Sequence, residues 1–153
     1  MAEPVLNLSP SPGDEVKTTS YIDNLLDCHG DTYDAVPLNG VVYSVSHHHN
    51  CSNVGSFPEV TPRRYYHSDA FTLDARGTVG TNTQLGSHYV NWGGYPVGSM
   101  VDWWNVWQPG TYTSAKQAGW TVEASGDYLV EGGEFLAVNG VAQQGLVRFG
   151  TRK

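Results

Sequence analysis

Three imidazoles in a row, His47-His48-His49, run through Asn50 into Cys51 and form the most reactive-looking stretch of this chain. Neutral imidazole is a common ligand of transition metals. Alternate residues of a strand share a face, so His47 and His49 would point the same way as two ligands of a zinc or copper site. His29, His67 or Cys51 could supply a third donor if the fold delivers one. The competing expectation is an exposed histidine-rich loop beside a disulfide, because a histidine tract without ligand spacing is a weak motif. Apart from this pair, no cofactor is expected.

Two cysteines occur, Cys28 and Cys51, and they allow a single pairing. A disulfide between them closes a loop of roughly 24 residues and contributes about 3 kcal/mol in the chain-entropy model. Two free thiols and a metal site are the other uses open to such a pair.

The run Asp102-Trp103-Trp104-Asn105-Val106-Trp107 suits a binding surface. Indole faces stack on sugar rings, and neighbouring carboxylates and amides exchange hydrogen bonds with hydroxyls, so Trp92, Asp102, Trp104 and Asn105 are candidates for a shallow carbohydrate platform. Large aromatics also serve interiors: in a strand, Trp103 and Trp107 would share one face and Trp104 the other. The acid pairs Asp31/Asp34 and Glu131/Glu134 offer oxygen to a calcium ion but lack the dense spacing of a calcium loop, so a solvated surface is expected for both. Arg148 is expected to point outward while Leu146 and Phe149 bury their strand. No nucleophile elbow, His-Glu-x-x-His, phosphate-binding glycine loop or sialidase Asp-box is present, so the chain is expected not to be an enzyme.

What would position these groups is a set of short strands. The chain has 153 residues, enough for one domain with a core, and its 18 glycines and 8 prolines come without sustained helical periodicity. Candidate strands are 41–45, 65–73, 118–125, 127–132 and 145–150, with Asn139-Gly140 as a tight turn between apolar residues. Residues 86–110 form a long aromatic, glycine-rich excursion. Residues 1–17 have a linker-like composition, which puts the start of the ordered domain near Thr18. The formal charge of −7 and the single basic pair Arg63-Arg64 leave nothing to track a phosphate backbone, so no nucleic acid partner is expected. No apolar run approaches the roughly 20 residues of a membrane-spanning helix, and no signal peptide is visible.

One pattern occurs twice. Residues 33–49 line up with residues 119–135 when Gly40 is set on Gly126: an aromatic or Tyr-Asp start, a valine at Val36 or Val122, a polar-glycine turn and a second apolar run. Repeated two-strand units suggest a radial or stacked β architecture, here at about twice the spacing of an ordinary propeller blade. The second unit, with Gly132, Gly133, Phe135, Val138, Asn139 and Gly140, resembles the blades of bacterial delta-60-type and kelch-like β-propellers. Through residues 17–36, 49–66, 109–122 and 138–149, the chain from about Val16 onward resembles the amino-terminal propeller region of large actinobacterial surface proteins, which often carry PKD domains. In the first unit, Ser46-His47-His48-His49 stands where that pattern has Gly-Gly.

The resemblance implies an all-β fold of β-propeller-like repeats, a partial propeller or a fragment of one, spanning 18–153 with a long aromatic insertion. It also implies export to the cell surface and other domains of a parent chain as partners. The expected function is a non-catalytic binding or scaffold module whose partner is a glycan or cell-surface polymer. The alternatives are a metal-dependent or hydrolytic domain on a propeller scaffold and a purely structural spacer.

Overall fold

The computed structural model describes residues 26–84, 89–113 and 117–150. The expected linker at 1–17 and the boundary near Thr18 lie outside them. The protein is all-β, built from small antiparallel sheets, none of them closed, as a partial propeller-like arrangement requires.

The first sheet has the order β1-β2-β3, with β1 at Thr32–Leu38, β2 at Val41–His48 and β3 at Tyr66–Thr72. Asn39 and Gly40 take φ of 51° and 78°, the double positive φ of the turn whose twist matches a hairpin, and so connect β1 to β2 in two residues. A one-turn 3-10 helix (Ser52–Val54) follows β2. The short ribbon of β4 (Gly77–Thr78) and β5 (Pro96–Val97) ties the excursion to the segment after β3, and β6 (Trp107–Pro109) closes it.

The second large sheet joins β7 (Gly119–Ser125), β8 (Tyr128–Gly133) and β11 (Leu146–Gly150), with β8 central. Strands β9 (Phe135–Val138), β10 (Val141–Ala142) and β6 make a third, in which Asn139 and Gly140 repeat the Asn-Gly turn at φ 52° and 77°. The repeated unit therefore corresponds to two hairpins, β1–β2 and β7–β8, each holding the central strand of its sheet.

The two hairpins meet along β1 and β7. The Asp34 carboxylate accepts from the Val122 backbone N–H at 3.0 Å and from Thr121 Oγ1 at 2.8 Å, and these bonds hold Asp34 below the usual carboxylate range against the opposing effect of burial. Val45, Val122 and Leu129 form the core between them, with Tyr43 and Trp103 packed at its margin. A second cluster, Cys51, Val54, Phe71, Val79 and Val97, fixes the excursion against β3, and a third joins Trp107 to Ala118, Phe135 and Val138.

Gly133 allows the backbones around β7 and β8 to approach. A Cβ there would lie 1.9 Å from the Ala118 carbonyl oxygen, so Gly133→Ala is expected to cost about 2 kcal/mol, read as a lower urea midpoint at unchanged slope.

Three expectations are corrected. The histidine tract is not an exposed loop: His47 and His48 end the central strand β2, and His48 and His49 are only 1% and 5% exposed. Glu131 is not a solvated surface acid but fully buried, because its position on β8 faces the same way as its pairing partner Val122. Leu146 does not bury its strand. It is 59% exposed, while Val147 and Phe149 pack inward and Arg148 lies over the Tyr128 ring, 4.5 Å from its centre.

Candidate functional site

The end of β2 opens into a groove of about 610 Å³ lined in part by Cys28, which is tied by its disulfide to the buried Cys51. His47 and His49 both line it, as their alternation requires, and both rings meet Tyr65 edge-on with centres 5.7 and 6.0 Å apart. Tyr89 and Trp92 add two more aromatic walls, and Asp27, Asp31 and Arg63 add charge of both signs. Tyr89 is held by stacking on the buried His29 ring at 4.0 Å.

The polar groups of this groove are pre-oriented. Gln84 Oε1 accepts from His29 Nδ1 at 2.9 Å and from Asn50 Nδ2 at 3.2 Å, while Gln84 Nε2 donates to Glu59 at 3.3 Å. Glu59 in turn binds Arg63 Nη2 at 2.5 Å and places its carboxylate 3.7 Å from His49 Nδ1. Burial, followed by the Arg63 charge, lowers the His49 pKa, so this imidazole stays neutral in ordinary buffers. Tyr33 Oη and Gln117 Nε2 both contact His47 Nδ1. The Tyr33 phenol is pushed up to about 12 by burial and then by the Asp31 charge, so it remains a donor. His49 Nδ1 and His29 Nε2 are buried without hydrogen-bond partners among the described residues.

A second polar network lies in the interior. Asp69 accepts from Ser44 Oγ, from Ser46 Oγ at 3.4 Å and from His48 Nδ1 at 2.5 Å, and the other nitrogen of His48 meets Thr32 Oγ1 at 2.9 Å. Glu131 is also interior, with no hydrogen-bond partner for either oxygen among the described residues. Burial first, and then the charge of Asp69, pushes its carboxyl up to about 9. Burial lowers His67 to about 4, which keeps it neutral as well.

The residues singled out in the sequence reach different places. Trp92 joins His47 and His49 at the groove while packing on the core around Phe71. Trp104 and Asn105 line a separate hollow of about 250 Å³ with Phe57, Tyr66 and Arg64, where Trp104 is 43% exposed and meets the Tyr66 ring at 5.4 Å. Asp102 is exposed and lines neither cavity. Trp107 is buried and donates its indole N–H to Ser68 Oγ at 2.9 Å. No family model, curated protein or solved structure matches this chain.

As for metal, the one grouping of three ligand-type residues among the described residues is Cys28, His48 and Cys51, with donor atoms within 4.8 Å of one another. The two sulfurs are bonded to each other, so they do not serve an ion in this state. Sequence reasoning missed Tyr65, Tyr89, Arg63 and Asp27 as groove residues. Arg63 and Tyr65 come from the segment leading into β3 and the other two from separate loops, and only the pairing of β2 with β3 and the disulfide bring them to one place. The tract itself was the available signal.

Proposed function

We propose that the chain is a carbohydrate-binding module of a secreted or surface-attached protein, with the groove at the end of β2 as its binding site. The carrying observation is the convergence there of three aromatic walls, Tyr65, Tyr89 and Trp92, with charged and neutral hydrogen-bonding groups. Flat apolar faces with polar groups between them suit the alternating C–H faces and hydroxyl edges of a pyranose. The volume falls within the usual range for small-ligand sites. The Gln84–Glu59–Arg63 chain fixes its polar wall before a ligand arrives, which lowers the ordering cost of binding.

A disulfide suits an oxidising compartment, which fits the surface reading. The resemblance of the sequence to actinobacterial propeller regions would add further domains of a parent chain as neighbours.

A glycan array covering bacterial wall and capsular sugars tests this reading, followed by calorimetry on the best ligand. Tyr65→Ala is expected to weaken binding about tenfold, the loss of roughly 1.4 kcal/mol of ring contact, with melting temperature little changed because Tyr65 is 39% exposed. Retention of no glycan by the intact protein would remove the reading. Equal affinity in the variant would move the site, with the Trp104 hollow next to be examined.

A further inference from the structure

We propose that Thr32, His48 and Asp69 form a nucleophile, base and positioning residue that give the chain an acyl-transfer activity toward small carboxylic esters. The proposal goes beyond the groove and does not depend on a sugar binding there.

Two contacts run in series. His48 Nδ1 lies 2.5 Å from Asp69 Oδ2, and Thr32 Oγ1 lies 2.9 Å from His48 Nε2. Asp69 already accepts from the hydroxyls of Ser44 and Ser46, so toward His48 it acts as an acceptor too, and the ring proton belongs on Nδ1. Nε2 is thereby left with its lone pair facing Thr32, whose hydroxyl donates to it. A hydroxyl on a base that is itself held by a third group is the geometric signature of an activated nucleophile.

Burial separates the roles. Asp69 is 0% and His48 1% exposed, so the dyad is dry and held in one orientation, while Thr32 is exposed at the start of β1 where an ester can reach it. A pairing irregularity between Thr32 and Asp34, and another between Val45 and His48, lets Thr32 reach His48 although its backbone partner is Ser46. Irregularities of this kind re-aim side chains. A structural role alone explains the buried pair of His48 and Asp69. The Thr32 hydroxyl also satisfies the buried Nε2 of His48, and what sets it apart from a purely structural partner is that Thr32 itself is exposed.

The chemistry balances without a co-reactant beyond water. Thr32 Oγ attacks the ester carbonyl carbon as its proton passes to His48 Nε2. The carbon–oxygen bond to the alcohol breaks, and the alcohol leaves with the proton from His48, so that the acyl group rests on Thr32. Water then loses a proton to Nε2 as it attacks that ester, and the carboxylic acid is released as Thr32 regains its hydrogen.

The test uses the purified chain with p-nitrophenyl acetate, following p-nitrophenolate release together with peptide mass spectrometry. One acetyl group on the Thr32 peptide is expected. Thr32→Val, which keeps the shape and removes the hydroxyl, is expected to abolish that adduct and slow release about 100-fold, while Thr32→Ser retains both. Asp69→Asn, whose amide favours the opposite ring tautomer, is expected to slow release with Thr32 intact, and melting curves verify that each variant is folded. Acetylation of another side chain, no adduct on the wild-type chain, or undiminished release by folded Thr32→Val each overturns the proposal. If Thr32→Val does not fold, loss of the adduct in Thr32→Ala decides in its place.

Discussion

At pH 8 the Glu131→Gln variant melts well above the parent chain, and at pH 4 the two melt together. This outcome follows from the difference between the carboxyl in the two states. In the unfolded chain Glu131 titrates at its ordinary value of 4.5, whereas in the fold it holds its proton up to about 9. Between those values folding takes up a proton, so this group's contribution is fully present below pH 4.5 and is lost as pH rises toward 9. Over the interval to pH 8 the linkage amounts to about 5 kcal/mol, or roughly 15 °C in a domain of this size. Glutamine is neutral at every pH and escapes it. Calorimetric melts of both proteins at pH 4, 6 and 8 measure the effect, and a gap that does not widen with pH would show that the Glu131 carboxyl is not held neutral in the fold.

Opening the Cys28–Cys51 bond is expected to be comparably costly. The bridge joins residues 23 positions apart and carries Cys51 in the fully buried cluster around Phe71. Loss of the cross-link releases about 3 kcal/mol of chain entropy to the unfolded state, which lowers the melting temperature by roughly 10 °C. Intact mass after alkylation with and without reductant counts the thiols, and melts of the same samples read the cost. A reduced chain that melts with the oxidised one would show that packing alone holds this corner. Because Cys28 lines the groove, glycan affinity measured on both samples would also show whether the disulfide shapes the site.

These two predictions come from opposite ends of what the sequence made legible. The cysteine pair was readable because two cysteines admit one pairing. Strands β3, β7, β8 and β11 were readable to within a few residues, since apolar runs ended at Asn, Gly or Asp, and the turn at Asn139-Gly140 carries its conformation in its composition. Strand β1 appeared only as part of the repeat, for Thr32–Leu38 mixes proline and aspartate into a run without clear alternation. Glu131 was misread because an acid beside two glycines looks like surface when the strand facing it is unknown. The groove was legible at His47, His49 and Trp92 but not at Tyr65, Tyr89 or Arg63, whose meeting depends on contacts far apart in the chain.

The bond between Asp34 and Val122 has a kinetic meaning. Each hairpin closes through a tight turn, and such local closures take microseconds. The seam between the hairpins joins residues 88 positions apart, and a loop of that length must be closed before any contact there compensates for it. The hairpins are thus the fast steps of folding and their docking the slow one. The last piece of the route to the native state is the moment when one carboxylate on β1 finds a backbone N–H on β7.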